Sequence, residues 1–242
     1  MHRHFPVSRK GPALLLALGA LLLGLGCSTM NTARPLEPGQ HAVGLTAGGP
    51  LIGLFGIVLP LPNSTLEGRS GVMRLAGRPL DVNYGLQLTS LLFGDVGGHL
   101  GASYLLVPQR GYLPALSIAD RQYLFSNHLD GRKPAELRGL WAVNQLEATV
   151  SYKLFSQLLY GGLVEYLDFS NPGLLMAPFA GVEFHPGLDW LGLQLEARYL
   201  VPWRNNRQAT PQWVAPFDQG GMLVTAGVSV RFDLGAGPEV QP

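Results

Sequence analysis

The sequence predicts an all-β fold, an antiparallel transmembrane β-barrel of about ten strands; eight or twelve also fit the pattern. Three observations lead there. After residue 27 the chain carries stretches of about ten residues in which apolar and polar side chains alternate, the period of a strand with two unlike faces. These stretches exceed the roughly five or six residues of a globular strand and match the roughly nine to eleven that a tilted strand needs to cross a bilayer. The connections alternate between short and long, as they do when a barrel has tight turns on one side of the membrane and larger loops on the other.

In chain order, strands are expected near 40–48, 70–77, 80–91, 95–107, 112–126, 139–154, 158–168, 173–186, 189–201 and 218–234. The first follows Pro38-Gly39, with Leu51 to Leu59 either extending it or forming another strand. In the third, Val82, Tyr84, Leu86 and Leu88 oppose Asp81, Asn83, Gly85 and Gln87. The polar face of the fourth is Gly97, His99, Gly101 and Ser103. The sixth sets Leu146, Ala148, Val150, Tyr152 and Leu154 against Glu147, Thr149, Ser151 and Lys153. The ninth sets Leu191, Leu193, Leu195, Ala197, Tyr199 and Val201 against Gly192, Gln194, Glu196 and Arg198. The last alternates Met222, Val224, Ala226, Val228, Val230 and Phe232 with Thr225, Gly227, Ser229, Arg231 and Asp233. Short breaks fall at Gly77-Arg78-Pro79, Pro108 to Gly111, Phe155-Ser156-Gln157 and Gly187-Leu188. Long ones are expected at 49–69, 127–138 and 202–217, all on the side opposite the N-terminus. Tyr112, Trp141, Tyr152, Tyr160, Tyr166, Trp190, Tyr199 and Trp203 fall near strand ends, where an aromatic girdle belongs.

Ahead of the strands, Arg9-Lys10 precede an apolar run from Ala13 to Leu25 and then Gly26-Cys27-Ser28. A basic flank and a run this short read as an export signal rather than a membrane span. Cys27 is the single cysteine of 242 residues, so disulfides play no part. The segment resembles a bacterial lipoprotein signal, with Gly26 at the small position and Gly24 where leucine is usual. That resemblance implies cleavage before Cys27 and acylation of its thiol (palmitate among the chains), with Ser28 favouring delivery to the outer membrane. The expected organisation is a signal over 1–26, an extended tether over 27–39, the barrel over 40–234 and a loose tail over 235–242.

Composition narrows the function. Without residues 1–26 there remain fourteen Lys and Arg against sixteen acids, a near-neutral balance that gives no electrostatic case for nucleic acid. Charged residues are 14% of the chain, low against the usual quarter. His41, His99, His128 and His185 lack metal-ligand spacing, and no phosphate-cradling glycine loop occurs, so no cofactor or metal is expected.

The polar faces hold the candidate site. Asp81, His99, Glu147, Lys153, Glu165, Glu183, His185, Glu196, Arg198, Arg231 and Asp233 are expected to point into the lumen. A small barrel is filled by its own side chains, and charges there must pair. Catalysis would need a nucleophile, a base and an orienting group. The candidates are His99 with Ser103, and His185 with Glu183 and Ser151, none of them in a G-x-S-x-G motif. His99 and Ser103 stand roughly 13 Å apart along one strand.

With Phe232 ending the final strand, the whole pattern resembles the bacterial outer-membrane β-barrels, whose last strand commonly carries an aromatic residue. The resemblance implies outer-membrane lipid as surroundings, the barrel assembly machinery as a folding partner, and lipopolysaccharide within reach of Arg204, Arg207, Trp203 and Trp213. Three functions follow as expectations: a lipid-anchored barrel with a structural or transport-like role and a plugged interior; an outer-membrane lipid-modifying enzyme; and an anchored soluble barrel of lipocalin type, which would put the apolar face inside.

Overall fold

In a computed structural model of the chain, the described residues are 30–54, 57–60, 63–92, 94–127, 139–168, 175–205, 214–215 and 219–234. The leader with Cys27, most of the two later loops with His128, Arg207 and Trp213, and the tail over 235–242 lie outside them. The strands are β1 (Gln40–Leu54), β2 (Ile57–Pro60), β3 (Asn63–Leu75), β4 (Arg78–Gln87), β5 (Val96–Val107), β6 (Ala115–Ser126), β7 (Leu140–Leu154), β8 (Gln157–Asp168), β9 (Leu175–Phe184), β10 (Leu191–Asn205) and β11 (Gln219–Asp233). A short helix, α1 (Leu88–Leu92), links β4 to β5.

Ten of these strands form the wall. Each pairs antiparallel with its neighbour from β3 to β11, and β1 closes the ring by pairing with both β3 and β11. Closure leaves the wall no free edge, the condition for a sheet to stand in hydrocarbon. The strand β2 is a hairpin continuation of β1, with Leu51 opposite Pro60 and Leu54 opposite Ile57.

Two expected boundaries differ. The stretch 49–69 is mostly strand, because Gly48-Gly49-Pro50 continues β1 instead of ending it. Gly48 (φ +157°) passes so close to β11 that a Cβ there would lie 2.1 Å from the Val224 carbonyl oxygen. The end of the expected 80–91 strand is instead α1, held by Ser90 Oγ donating to the Gln87 carbonyl at 2.7 Å. Tight turns match the sequence: at Ala76-Gly77 both residues have positive φ (49° and 76°), as a two-residue turn matching strand twist requires.

The two faces of the wall have opposite chemistry. Outward positions include Val43 and Leu45, Leu66, Leu86, Leu100, Ile118, Leu146 and Val150, Leu159 and Leu163, Leu193 and Leu195, and Val228 and Val230, all exposed. Inward positions include Asp81, Asn83, Ser103, Ser117, Arg121, Gln145, Thr149, Glu196, Arg198 and Thr225, all nearly fully buried. An apolar exterior around a polar interior suits a solvent of lipid, and is the inverse of a lipocalin-type barrel. The chain is therefore an antiparallel transmembrane β-barrel.

The aromatic girdle is partly as expected. Tyr152 donates from its hydroxyl to the Gly111 carbonyl (3.3 Å), Tyr199 to that of Gln219 (3.0 Å) and Tyr104 to that of Leu75 (3.0 Å), each anchoring a strand end. Tyr112 and Trp190 are exposed in turns on the N-terminal side. Trp141, Tyr160 and Tyr166 instead face inward. Trp141 stacks on Phe125 (5.5 Å), which continues through Tyr123 to His99 as a luminal aromatic ladder.

Candidate functional site

The segment expected to be a free tether runs inside the barrel. Met30, Asn31, Thr32, Ala33 and Leu36 are each at most 5% exposed, although none belongs to a strand. Polar groups buried this deeply are normally hydrogen-bonded, so the segment draws partners from the wall. The wall supplies them from strands on several sides. Asn31 donates from its backbone N–H and its amide to the two oxygens of Glu196 on β10 (3.0 and 3.1 Å). Its own amide oxygen accepts from Gln145 on β7 (3.2 Å), and its carbonyl accepts from Gln194 on β10 (3.2 Å). Thr32 Oγ accepts from Arg121 on β6 (2.7 Å). Arg34 donates to Ser151 Oγ on β7 (3.0 Å), while its carbonyl accepts from Arg69 on β3. The backbone N–H of Leu36 donates to Asp81 on β4 (3.0 Å).

Tight backbone approach completes the seat. A Cβ on Gly71 would lie 1.9 Å from the Glu37 carbonyl oxygen, and one on Gly227 would lie 1.9 Å from Met30 Cε. These two glycines give the segment its width. Ala33 packs into a small apolar cluster with Leu158, Tyr160, Val164, Ala177 and Phe179.

Most charged residues of the lumen are paired, while Glu67 accepts from the Thr46 hydroxyl (3.5 Å) and Arg34 bonds Ser151. Arg69 grips Asp81 (2.6 Å), Arg198 grips Glu196 (2.8 Å), and Arg121 lies 3.5 Å from Glu147, which also accepts from Thr149 Oγ (2.6 Å). Arg198 also bonds the Tyr166 hydroxyl. Nearer the N-terminal mouth, Glu183 pairs with Arg231 and with His185 (3.1 Å). Such pairs are costly to desolvate and costly to break from one side. Among the described residues a small cavity of about 40 Å³ is bordered by Met30, Thr46, Glu67, His99, Arg121 and Gln194, space for one to about three waters.

Of the expected luminal charges, Asp81, His99, Glu147, Glu183, His185, Glu196, Arg198 and Arg231 face inward. Lys153 and Asp233 lie exposed at the ends of β7 and β11, outside the network. Glu165 faces outward: on β8 the inward set is Leu158, Tyr160, Gly162, Val164 and Tyr166, an apolar and aromatic face that packs on the segment. Alternation alone cannot show which face of β8 is inside when the lumen itself holds an apolar cluster. The sequence reading missed Glu67, Arg69, Arg121, Gln145 and the segment's own Asn31, Thr32 and Arg34. Arg121 sits within Asp120-Arg121-Gln122, three polar residues in a row that hide the strand period.

The serine and histidine candidates do not meet. Ser103 accepts from Asn83 (3.1 Å), Ser151 from Arg34, and His185 contacts Glu183 and the Leu191 carbonyl. A different pair does: His41 Nδ1 lies 3.0 Å from Ser70 Oγ on the outer face, with the imidazole stacked on Phe232.

No protein-family model matches the sequence, and no match was found among curated proteins. Among solved structures, the chain is similar to the translocator domain of the autotransporter NalP from Neisseria meningitidis, at 13% identity and a TM-score of 0.41, over 92% of this chain and 95% of that one. It is also similar to Ail, the attachment invasion locus protein of Yersinia pestis, at 10% identity and a TM-score of 0.27, over 81% of this chain and all of Ail; that structure was solved with the heparin analogue sucrose octasulfate.

Proposed function

We propose that the protein is an outer-membrane barrel that rests closed, stoppered by its own Met30–Gly39 segment, with a structural role or, once the segment leaves, a transport-like one. The observation that carries this reading is the seating of Asn31, Thr32 and Arg34 by side chains from β6, β7 and β10 at once. A disordered tether would not attract so many buried partners. The test is conductance in planar bilayers. The full chain carrying Cys27→Ser, and so unacylated, should give no steady current, and deletion of residues 30–38 from it should give discrete openings. Equal current from both would refute the stopper.

Lipid anchoring at Cys27 belongs to the same proposal and sets a condition on it. Ser28 and Thr29 lie between Cys27 and Met30, so the reach from one to the other is roughly 10 Å when fully extended. Met30 lies against Gly227, six residues up β11 from Asp233, or about 15 Å above the strand end at a typical barrel tilt. The Cys27 backbone therefore stops short of the rim while Met30 is seated, so an acyl chain entering the leaflet there pulls Met30 out of its seat. Acylation thus favours the open barrel and an unacylated N-terminus the closed one.

The His41–Ser70 contact favours a second reading, an outer-membrane lipid-modifying enzyme, since it places a hydroxyl beside a base at the lipid surface. Ester turnover on phospholipid vesicles that disappears in Ser70→Ala would support it; identical rates in both would end it.

A further inference from the structure

Among the described residues, the mid-strand carboxyl and amide side chains of the outer face gather in one patch on β6, β7 and β8. On β6 the outward side chains run Leu116, Ile118, Asp120, Gln122 and Leu124, on β7 Leu140, Ala142, Asn144, Leu146, Ala148 and Val150, and on β8 Leu159, Gly161, Leu163, Glu165 and Leu167. The register sets Asp120 and Glu165 on either side of Leu146, and Gln122 directly opposite Asn144. Two carboxyl and two amide side chains thus share one spot on three adjacent strands. They are not at the membrane edge. Asp120 is the sixth of the twelve residues of β6, so it stands roughly 13–15 Å of depth from either strand end. Leucines border the patch above (Leu124, Leu140, Leu167) and below (Leu159, Leu163). Elsewhere the contrast is plain: from β9 to β11 the described outward side chains include no carboxyl and no amide.

Facing hydrocarbon, such groups would be desolvated, with one internal bond among them, from the Asn144 amide to Asp120. Gln122 and Glu165 make no side-chain hydrogen bond with any described residue. The same face is concave: a groove of about 450 Å³ runs from Leu80 on β4 and Ala102 on β5 past Ile118, Asp120, Leu146 and Ala148 to Leu163 and Glu165 on β8. The alanines make its floor, with room for a leucine-sized knob.

We propose that this face of β6, β7 and β8 is the contact between two copies of this chain, packed side by side in the membrane about a two-fold axis along the membrane normal. The patch is complementary to itself, because it holds carboxylate acceptors (Asp120, Glu165) beside the exposed amide of Gln122, which donates; Asn144, nearly buried, already donates to Asp120 and holds that carboxylate in place. A two-fold axis brings the donor amide of one copy to the acceptors of the other, and Leu146 of each beside the other's groove. The inference rests on the barrel spanning a membrane and does not depend on whether the lumen is closed.

The experiment is oxidative cross-linking of the full chain in lipid vesicles, in a Cys27→Ser background, at low protein-to-lipid ratio. Leu146→Cys should give a covalent dimer, and Val228→Cys on the opposite wall should not. Replacing Asp120, Gln122 and Glu165 together by Leu should weaken the dimer at least tenfold by sedimentation in detergent. Heat-modifiable migration reports whether each variant is folded; if the triple variant is not, the two cysteine variants decide alone. No Leu146 dimer, equal dimer from Val228→Cys, or cross-linking of Leu146→Cys to some other protein would overturn the proposal.

Discussion

Arg121→Met tests how the lumen is held together. Arg121 is 3% exposed at mid-strand on β6. It donates to Asn83 Oδ1 (3.2 Å) on β4 and Thr32 Oγ (2.7 Å) on the segment, and faces Glu147 (3.5 Å) on β7. Methionine keeps most of the volume and removes the charge, so the cost is electrostatic rather than a cavity. Glu147 is then left buried with Thr149 Oγ as its remaining partner. Stranding one member of a buried pair costs about 3–5 kcal/mol. Hydrogen bonds to charged groups contribute about 1.5–3 kcal/mol each, but these do not add, since one side chain makes them all. The expected loss is therefore about 3–5 kcal/mol, read by reversible guanidinium unfolding in lipid vesicles. Arg121→Met with Glu147→Gln should recover at least half, because the stranded charge is gone. A single-variant loss below about 1 kcal/mol, or no recovery in the double, would refute the view that these charges are held as pairs.

Other consequences are open to measurement. Val228→Arg points a cation into lipid from β11 and should cost about 2–4 kcal/mol in the same unfolding assay at mid-bilayer depth; no loss would put this face elsewhere than in lipid. Gly71→Val puts a side chain where the Glu37 carbonyl stands, so it should expel the segment and raise conductance or proteolysis at residues 30–38 while the barrel stays heat-modifiable. Blocking acylation with Cys27→Ser should lower the fraction of open channels relative to the acylated protein; an unchanged or higher fraction would separate the anchor from the stopper.

Much of the wall was legible in the sequence. Strand type and strand number follow from local alternation, because a strand's two faces meet different solvents along its whole length. The long run of β10 from Leu191 and the run from Met222 in β11 read correctly for that reason. The fate of Glu165 did not, nor did that of Met30–Gly39. On β8 both faces are largely apolar, and only the arrival of Ala33 inside the ring makes one of them interior. The segment has no period at all, since it is neither strand nor helix. Its place depends on Glu196, Arg121, Gln145 and Ser151, residues 89 to 165 positions away that ring closure brings around it. The sequence by itself determined a lipid-facing, two-sided sheet of about ten strands. The tertiary structure alone decided what fills it, because which polar groups must satisfy one another is settled only when the tenth wall strand meets the first.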